Sequence, residues 1–319
     1  MSIYKDFIIF ILGFLVIIKS ADLFTNAAES IAVFFKIPRV IIGLTIVSMA
    51  TTFPEFTVSA ISSFMGASGI AVGNVTGSFL VNISLVLAIA IFVGVLHFNP
   101  GAVRKKVIFL ICASVFALFL MWDGTVNRIE GLLLCSLSIA FFGYIVAREL
   151  KTKKNEEKQP GQPGLSNSII KEMIIFILAA AGVVLSAKWA VIPSSINIAH
   201  YFKIPEIVIG ITIVAIGTSL PELVTAVVAS LKKMGELALG NVIGANILNI
   251  LWILGFSAVI RPLSIDQQTK FVAMPLAILF TVLIFVFTRK KFTLTKGNGL
   301  VLFFLYAGYI FYIIKFAYN

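Results

Sequence analysis

Two segments of the chain place a glutamate directly after a proline within a long apolar run. The first contains Thr51-Thr52-Phe53-Pro54-Glu55 and the second contains Thr218-Ser219-Leu220-Pro221-Glu222. The segments align without a gap at a constant offset of 167 residues, from Gly43–Asn82 to Gly210–Asn249. A proline inside a helix removes a backbone donor and frees a carbonyl on the preceding turn. Carboxylate, hydroxyl and carbonyl oxygens therefore converge on one short stretch of each segment.

An oxygen-only set with two carboxylates is suited to hard cations. A charged carboxylate inside a membrane costs on the order of a few kcal/mol, so it faces the protein interior and needs a partner. No lysine or arginine lies deep in these segments to serve as that partner. Such oxygens suit Ca²⁺ or Na⁺ and do not suit Zn²⁺ or Cu²⁺, and two carboxylates neutralise one Ca²⁺. A protonated structural glutamate is the alternative, but two copies in matched contexts favour an ion site.

The second part of each segment is spaced by glycines. It reads Gly73-Asn74-Val75-Thr76-Gly77-Ser78 in the first copy and Gly240-Asn241-Val242-Ile243-Gly244-Ala245 in the second. Small residues four apart predict close helix packing, which would let this span approach the broken one. Ser78 and Asn82 share a helix face, as do Ala245 and Asn249. Asn74 and Asn241 are assigned to packing or hydrogen bonding.

Composition identifies the elements that must carry these residues. The chain is 60% hydrophobic and 12% charged, whereas a soluble domain is about a quarter charged. Apolar runs of roughly 18–25 residues predict membrane-spanning helices, and they are too long for barrel strands. The net charge of +11 resides in short loops, so it does not indicate nucleic acid. No nucleotide-binding glycine loop, catalytic triad or metalloprotease motif is present, so we do not expect an enzyme.

The apolar runs predict an all-α polytopic membrane protein with ten transmembrane helices. The predicted spans are 4–24, 39–64, 70–95, 105–122, 128–148, 169–191, 206–231, 237–260, 270–288 and 298–317. A hydrophilic linker, 148–168, divides them into two sets of five, 1–147 and 169–319. Because five is odd, the two copies of the motif enter the membrane from opposite sides. The prediction is therefore two inverted five-helix repeats, an architecture of secondary transporters.

Loop charges predict the orientation of the chain in a cell membrane. The loops on one side of the membrane hold most of the basic residues, among them Lys151, Lys153 and Lys154 of the linker. Basic loops are retained in the cytoplasm. We therefore expect a cytoplasmic linker and both termini outside.

The duplicated motif resembles a known family. Gly-Thr-Ser-Leu-Pro-Glu at 217–222, followed by Gly-Asn-Val-Ile-Gly at 240–244, is similar to the α-repeats of the cation/Ca²⁺ exchanger superfamily. The resemblance covers both halves, and within the superfamily the chain looks most like prokaryotic Na⁺/Ca²⁺ exchangers. It implies ion sites midway through the membrane, Ca²⁺ and Na⁺ as transported ions, and no cofactor. The lipid bilayer is the only other partner that we expect, with no obligate protein partner and no nucleic acid.

The resemblance also implies a role for each site residue. Glu55 and Glu222 would be the central ligands of both ions, and the carbonyls of Thr51 and Thr218 would complete the Ca²⁺ site. The implied flanking Na⁺ ligands are Thr52, Ser219, Ser78 and the Ala215 carbonyl. Asn82 and Asn249 would border the central site.

Two positions, Ala50 and Ala245, depart from the family pattern, and Asn249 distinguishes the chain from K⁺-dependent members. Ala50 replaces the glycine of the motif, which is a mild change. Ala245 stands where the first half has Ser78 and where the family commonly has a hydroxyl, so one Na⁺ site is expected to be weakened or completed by water. Asn249 stands where K⁺-dependent exchangers have an aspartate, which argues against K⁺ co-transport.

The expected mechanism is alternating access in which Ca²⁺ or several Na⁺ compensate the two glutamates. Two protons would also neutralise them, so a Ca²⁺/H⁺ antiporter is the alternative. A cation channel is a further alternative, because oxygen-lined pores also use glutamates.

Overall fold

Helices make up almost all of the structure, a computed structural model that describes residues 3–34, 47–98, 100–152, 167–289 and 293–317. In these ranges eight helices are long and apolar enough to cross a membrane, and a helix pair bent by 43° forms a ninth span. The predicted multi-pass helical class is therefore confirmed. The predicted span 39–64 begins outside the described residues, so the count of ten stays a prediction. Most of the linker 148–168 also lies outside them.

The elements follow one another in a similar order in the two halves. The first half comprises α1 (Ile3–Phe34), α2 (Val47–Thr51), α3 (Phe53–Met65), α4 (Ser68–Val93), β1 (Leu96–His97), α5 (Pro100–Leu120), β2 (Thr125–Val126) and α6 (Arg128–Thr152). The second half comprises α7 (Asn167–Ser186), α8 (Ile192–Phe202), α9 (Glu206–Thr218), α10 (Leu220–Leu231), α11 (Gly235–Ile260), β3 (Leu263–Ser264), α12 (Thr269–Thr288), β4 (Thr293–Leu294) and α13 (Lys296–Ala317).

The first helix of each half is longer than predicted. Helix α1 continues to Phe34 instead of ending near residue 24, and α7 continues through a π-helical turn, Ala187–Val191, into α8. Charged residues within these helices are accommodated at the helix surface. Lys19 pairs with Asp22 at 3.1 Å, and Lys188 lies 5.1 Å from the Trp189 ring centroid. Helical hydrogen bonds continue past such residues because the side chains reach outward.

Two spans are broken at the predicted prolines. Between α2 and α3, Thr52 leaves the helix with φ −80° and ψ 3°, and Pro54 lies in the first turn of α3. Between α9 and α10, Ser219 adopts φ −83° and ψ 6°, and Pro221 occupies the same place. Proline is tolerated in the first turn of a helix because that turn has no internal acceptor for its missing N–H. Each break therefore begins a new helix immediately before a glutamate.

Helices α4 and α11 form the centre of the bundle. About 83% of the apolar window of α4 and 78% of that of α11 is buried, against 22–39% for the other unbroken spans. Most of their buried apolar side chains belong to one continuous hydrophobic core. The glycine-spaced halves of the duplicated motif therefore lie at the middle of the protein.

Equivalent contacts recur in the two halves at the sequence offset of 167 residues. The Ser63 hydroxyl donates to the Ser257 carbonyl at 2.6 Å, and the Ser230 hydroxyl donates to the Ala90 carbonyl, also at 2.6 Å. The short strands pair across the two halves, β1 with β4 and β2 with β3, and both pairs are antiparallel. The duplicated sequence therefore forms duplicated interfaces.

Glycines allow α4 to lie directly against α9. A Cβ at Gly77 would lie 2.5 Å from the Ile211 carbonyl oxygen, and one at Gly73 would lie 2.8 Å from that of Ile207. Real side-chain carbons do not approach backbone this closely, so only glycine permits this helix separation. The close packing predicted from the glycine spacing is confirmed here.

We predict that Gly77→Ala destabilises the protein by about 1–3 kcal/mol, because the added carbon overpacks the α4–α9 contact. The measurement is the apparent melting temperature of the purified protein in detergent. Gly143→Ala is the matched control, since a Cβ at Gly143 meets nothing within 4 Å. Equal melting temperatures for the two variants would contradict the prediction.

Candidate ion-binding site

The two glutamates of the duplicated motif meet in the interior. Glu55 lies in the first turn of α3 and Glu222 in the first turn of α10, and both have no exposed surface. Their carboxylates are close enough to influence each other electrostatically. The two broken spans therefore bring the two acids of the sequence prediction to one place.

Most carboxylate oxygens of this pair have no donor. The Ser219 hydroxyl donates to Glu55 Oε1 at 3.1 Å. Glu55 Oε2 and both Glu222 oxygens lack a hydrogen-bond partner within the described ranges. A buried carboxylate without donors is strongly destabilised unless a cation or a proton neutralises it. The arrangement therefore demands positive charge.

The predicted residues Thr218 and Ser78 are linked to the Glu55 backbone through Asn74. The Thr218 hydroxyl donates to Asn74 Oδ1 at 2.9 Å and lies 3.4 Å from the Ser78 hydroxyl. Asn74 Nδ2 in turn donates to the Glu55 carbonyl at 3.1 Å and to the Ser59 hydroxyl at 2.8 Å. Asn74, assigned to packing or hydrogen bonding from sequence, thus joins the two broken spans at the acidic pair.

Thr51 and Thr52 are placed differently from each other. The Thr51 hydroxyl lies beside the Glu222 carboxylate, although its hydrogen bond goes to the Ser48 carbonyl at 3.2 Å. The Thr52 hydroxyl turns back and donates to the same carbonyl at 2.8 Å. Its equivalent, Ser219, instead reaches Glu55. The structure therefore brings Thr51 to the pair and directs the Thr52 side chain away from it.

Asn82 and Asn249 are fully buried at matching points of α4 and α11. Asn82 begins the π-helical turn Asn82–Val86, and Asn249 lies in the turn Leu248–Ile253. Neither amide has a partner for its oxygen or its nitrogen among the residues that the structure describes. π-Helical turns are frequent at functional sites because they re-aim a side chain. Both amide oxygens are therefore available as ligands.

The alanine positions carry only backbone oxygen. The Ala215 carbonyl accepts from the Thr218 hydroxyl at 3.3 Å and from the Ser219 N–H at 3.1 Å. Ala245 is buried and has no hydroxyl to match that of Ser78. The first half therefore offers a side-chain hydroxyl, that of Ser78, at a position where the second half offers none.

Sequence reasoning missed two serines around the site. Ser48 lies four residues before Thr52, and Ser59 lies four residues after Glu55, so each shares a helix face with a predicted ligand. This four-residue spacing was the sequence signal that could have identified both serines. Both are buried, and each takes part in the hydrogen bonds that hold the motif.

The donor set is chemically that of a hard-cation site. It offers carboxylates, hydroxyls, amides and carbonyls, and the described part of the chain holds no cluster of three or more His, Cys, Asp or Glu side chains. All-oxygen sets of this kind suit Ca²⁺ and Na⁺. The fold and the site together define a multi-pass helical membrane protein with a buried pair of glutamates whose oxygens mostly lack donors within the described residues.

Comparison with known proteins identifies the family. The family model described as sodium/calcium exchanger protein matches residues 5–147 and 171–315. The chain belongs to this family, whose members are part of the cation/Ca²⁺ exchanger superfamily. The family resemblance predicted from the motif is confirmed, and the family consists of exchangers rather than enzymes.

Individual relatives match along most of their length. The sodium/calcium exchanger MaX1 of Methanosarcina acetivorans is 30% identical over 341 residues, covering 96% of this chain and 97% of the relative. The inner membrane protein YrbG of Escherichia coli is 34% identical over 265 residues, covering 80% of each chain. A solved structure of the sodium-calcium exchanger NCX_Mj, soaked with Na⁺ and Sr²⁺, superposes with a TM-score of 0.67 at 28% identity. That match covers 96% of this chain and 98% of that structure.

We predict that Asn249→Asp shifts the competition between Ca²⁺ and Na⁺ toward Ca²⁺ by roughly tenfold, because a third carboxylate favours the divalent ion. The measurement is equilibrium Ca²⁺ binding to the purified protein at increasing Na⁺. Asn127→Asp makes the same chemical change at an exposed helix cap and serves as the control. An unchanged ion profile in Asn249→Asp would remove this residue from the site.

Proposed function

We propose that this protein is a secondary active antiporter that exchanges Na⁺ for Ca²⁺ across the membrane by alternating access. The observation that carries the proposal is the pair of fully buried glutamates, three of whose four carboxylate oxygens have no donor within the described residues. Family membership and the similarity to MaX1, a sodium/calcium exchanger, support the choice of ions.

The charge of the pair explains why exchange would be obligatory. One Ca²⁺, or several Na⁺, compensates the two carboxylates, so the loaded site is roughly neutral and can be occluded. An empty site would carry two bare carboxylates through a dry barrier, at a cost of several kcal/mol for each charge. The empty protein is therefore held on one side of the membrane until another cation binds.

The ligands that we propose are those at the two breaks and the two π-helical turns. Glu55 and Glu222 bind both ions, with the carbonyls of Thr51 and Thr218 completing the Ca²⁺ site and Asn82 and Asn249 at its border. Ser219, Ser78, Thr52 and the Ala215 carbonyl serve the flanking Na⁺ sites. For Thr52 this role requires its hydroxyl to leave the Ser48 carbonyl, to which it donates at 2.8 Å.

Two inverted five-helix repeats would supply the two alternative states. The equivalent hydrogen bonds of Ser63 and Ser230 and the strand pairs between the halves support this architecture. We propose ten spans, a cytoplasmic linker and both termini outside, because the basic residues concentrate in one set of loops.

The moving elements that we propose are the first helices of the two halves. Helices α1 and α7 lie against each other through small residues, since the Ser186 hydroxyl donates to the Gly13 carbonyl at 2.7 Å and a Cβ at Gly182 would lie 2.5 Å from the Ser20 hydroxyl. A seam of small residues permits helices to approach closely and to move as one unit.

The decisive experiment is Ca²⁺ uptake into proteoliposomes driven by an outward Na⁺ gradient, at fixed pH and with a protonophore present. We expect uptake that disappears when the Na⁺ gradient is removed. Uptake under a pH gradient alone, without a response to Na⁺, would identify a Ca²⁺/H⁺ antiporter instead. Unitary, uncoupled currents in bilayer recordings would identify a cation channel.

We predict that Glu55→Gln and Glu222→Gln each reduce Na⁺-driven Ca²⁺ uptake by about 100-fold or more, because each removes half of the charge that compensates Ca²⁺. Glu236→Gln changes an exposed glutamate in the first turn of α11 and should leave uptake unchanged. Size-exclusion chromatography checks that the variants fold. Retained uptake in both site variants would show that the two glutamates are structural.

A further inference from the structure

Ser48 anchors the first broken span to the opposite half of the protein. Its hydroxyl donates to Asn241 Oδ1 of α11 at 3.1 Å, and both residues are buried. Its carbonyl accepts from the Thr52 N–H and from the hydroxyls of Thr51 and Thr52. The Ser48 side chain therefore ties to α11 the residue whose carbonyl holds the turn with two proposed ligands.

The second broken span is anchored at a different position. The residue equivalent to Ser48 is Ala215, which has no hydroxyl. The amide equivalent to Asn241 is Asn74, and its oxygen accepts from Thr218 at 2.9 Å. Thr218 is the equivalent of Thr51. In the first broken span, the opposite half therefore holds Ser48, which precedes the proposed ligands. In the second, it holds Thr218, which is itself a proposed ligand.

Local spacing agrees with this difference. A Cβ at Gly77 would lie 2.6 Å from Ala215 Cβ, whereas one at the equivalent Gly244 would lie 3.7 Å from Ser48 Cβ and 3.1 Å from its hydroxyl. At this position the Cβ of the first broken span therefore stands farther from the neighbouring glycine, and the Ser48 hydroxyl lies in the additional space. Asn241 Nδ2 has no hydrogen-bond partner within the described ranges, so the amide is held through its oxygen.

We propose that Ser48 is a positioning residue that occupies Asn241 and thereby keeps the Thr51 hydroxyl at Glu222. The inference rests on the proposed function, because it assigns Thr51 to the cation site. Without the Ser48 hydroxyl, Asn241 Oδ1 loses its donor. It then accepts a hydrogen bond from the Thr51 hydroxyl, as Asn74 Oδ1 accepts one from the Thr218 hydroxyl. The carboxylate of Glu222 then loses the hydroxyl beside it, and Ca²⁺ binding weakens.

The test is equilibrium binding of ⁴⁵Ca²⁺ to the purified protein. We expect Ser48→Ala to raise the half-saturating Ca²⁺ concentration about three- to tenfold, the effect of one neutral hydrogen bond. Ser48→Thr, which keeps the hydroxyl, should bind like the unaltered protein. Ser114→Ala is the control, because this buried serine donates only to the Leu110 carbonyl of its own helix.

Two double variants separate positioning from a structural role. Ser48→Ala combined with Asn241→Ala should recover normal affinity, because the acceptor that competes for Thr51 is gone. Ser48→Ala should have no further effect in a Thr51→Val protein. Equal losses in every background, or no loss in Ser48→Ala, would overturn the inference.

Two further outcomes are covered by the same set of proteins. If Ser48→Ala does not fold, Asn241→Ala alone decides, since the proposal requires it to bind Ca²⁺ within about twofold of normal and a larger loss overturns it. Absence of Na⁺-driven uptake in the unaltered protein would reject the proposed function, whereas the binding measurements test Ser48 independently of transport.

Discussion

Two carboxylates held together in the interior of a membrane bundle are the constraint on which the rest of the structure depends. Glu55 and Glu222 are fully buried and lie near each other, with one hydrogen bond to their four carboxylate oxygens among the described residues. Like charges in a low-dielectric interior repel strongly. The surrounding oxygens do not supply positive charge, so the energy of the folded state depends on what neutralises the two carboxylates.

The helices around the pair are arranged to make this placement possible. Pro54 and Pro221 lie in the first turns of new helices, one residue before each acid, and the second break places the Ser219 hydroxyl on Glu55. Gly73 and Gly77 let α4 approach α9 so closely that Asn74 can bond to both broken spans. Helices α4 and α11, which are the most buried spans, thus serve as the rigid support against which the broken spans are held.

Much of this could be predicted from sequence because it rests on local rules and on duplication. The Pro-Glu pairs located the acids and the breaks, and the glycine spacing located the close contact. The extension of α1 to Phe34 and the continuation of α7 into α8 could not be predicted, because helical hydrogen bonding continues past the end of an apolar run. The unequal anchoring of the two breaks depends on which of several hydroxyls reaches Asn241 or Asn74, and such choices are made by tertiary packing rather than by local pattern.

The central claim is that the acidic pair is completed by transported cations. Anomalous diffraction from crystals of the protein grown with Sr²⁺, a heavier substitute for Ca²⁺, tests it most directly. The account predicts an anomalous peak between the carboxylates of Glu55 and Glu222 that weakens as Na⁺ is raised. Absence of any peak there at saturating Sr²⁺, with the two carboxylates bonded to each other or to other side chains, would contradict it.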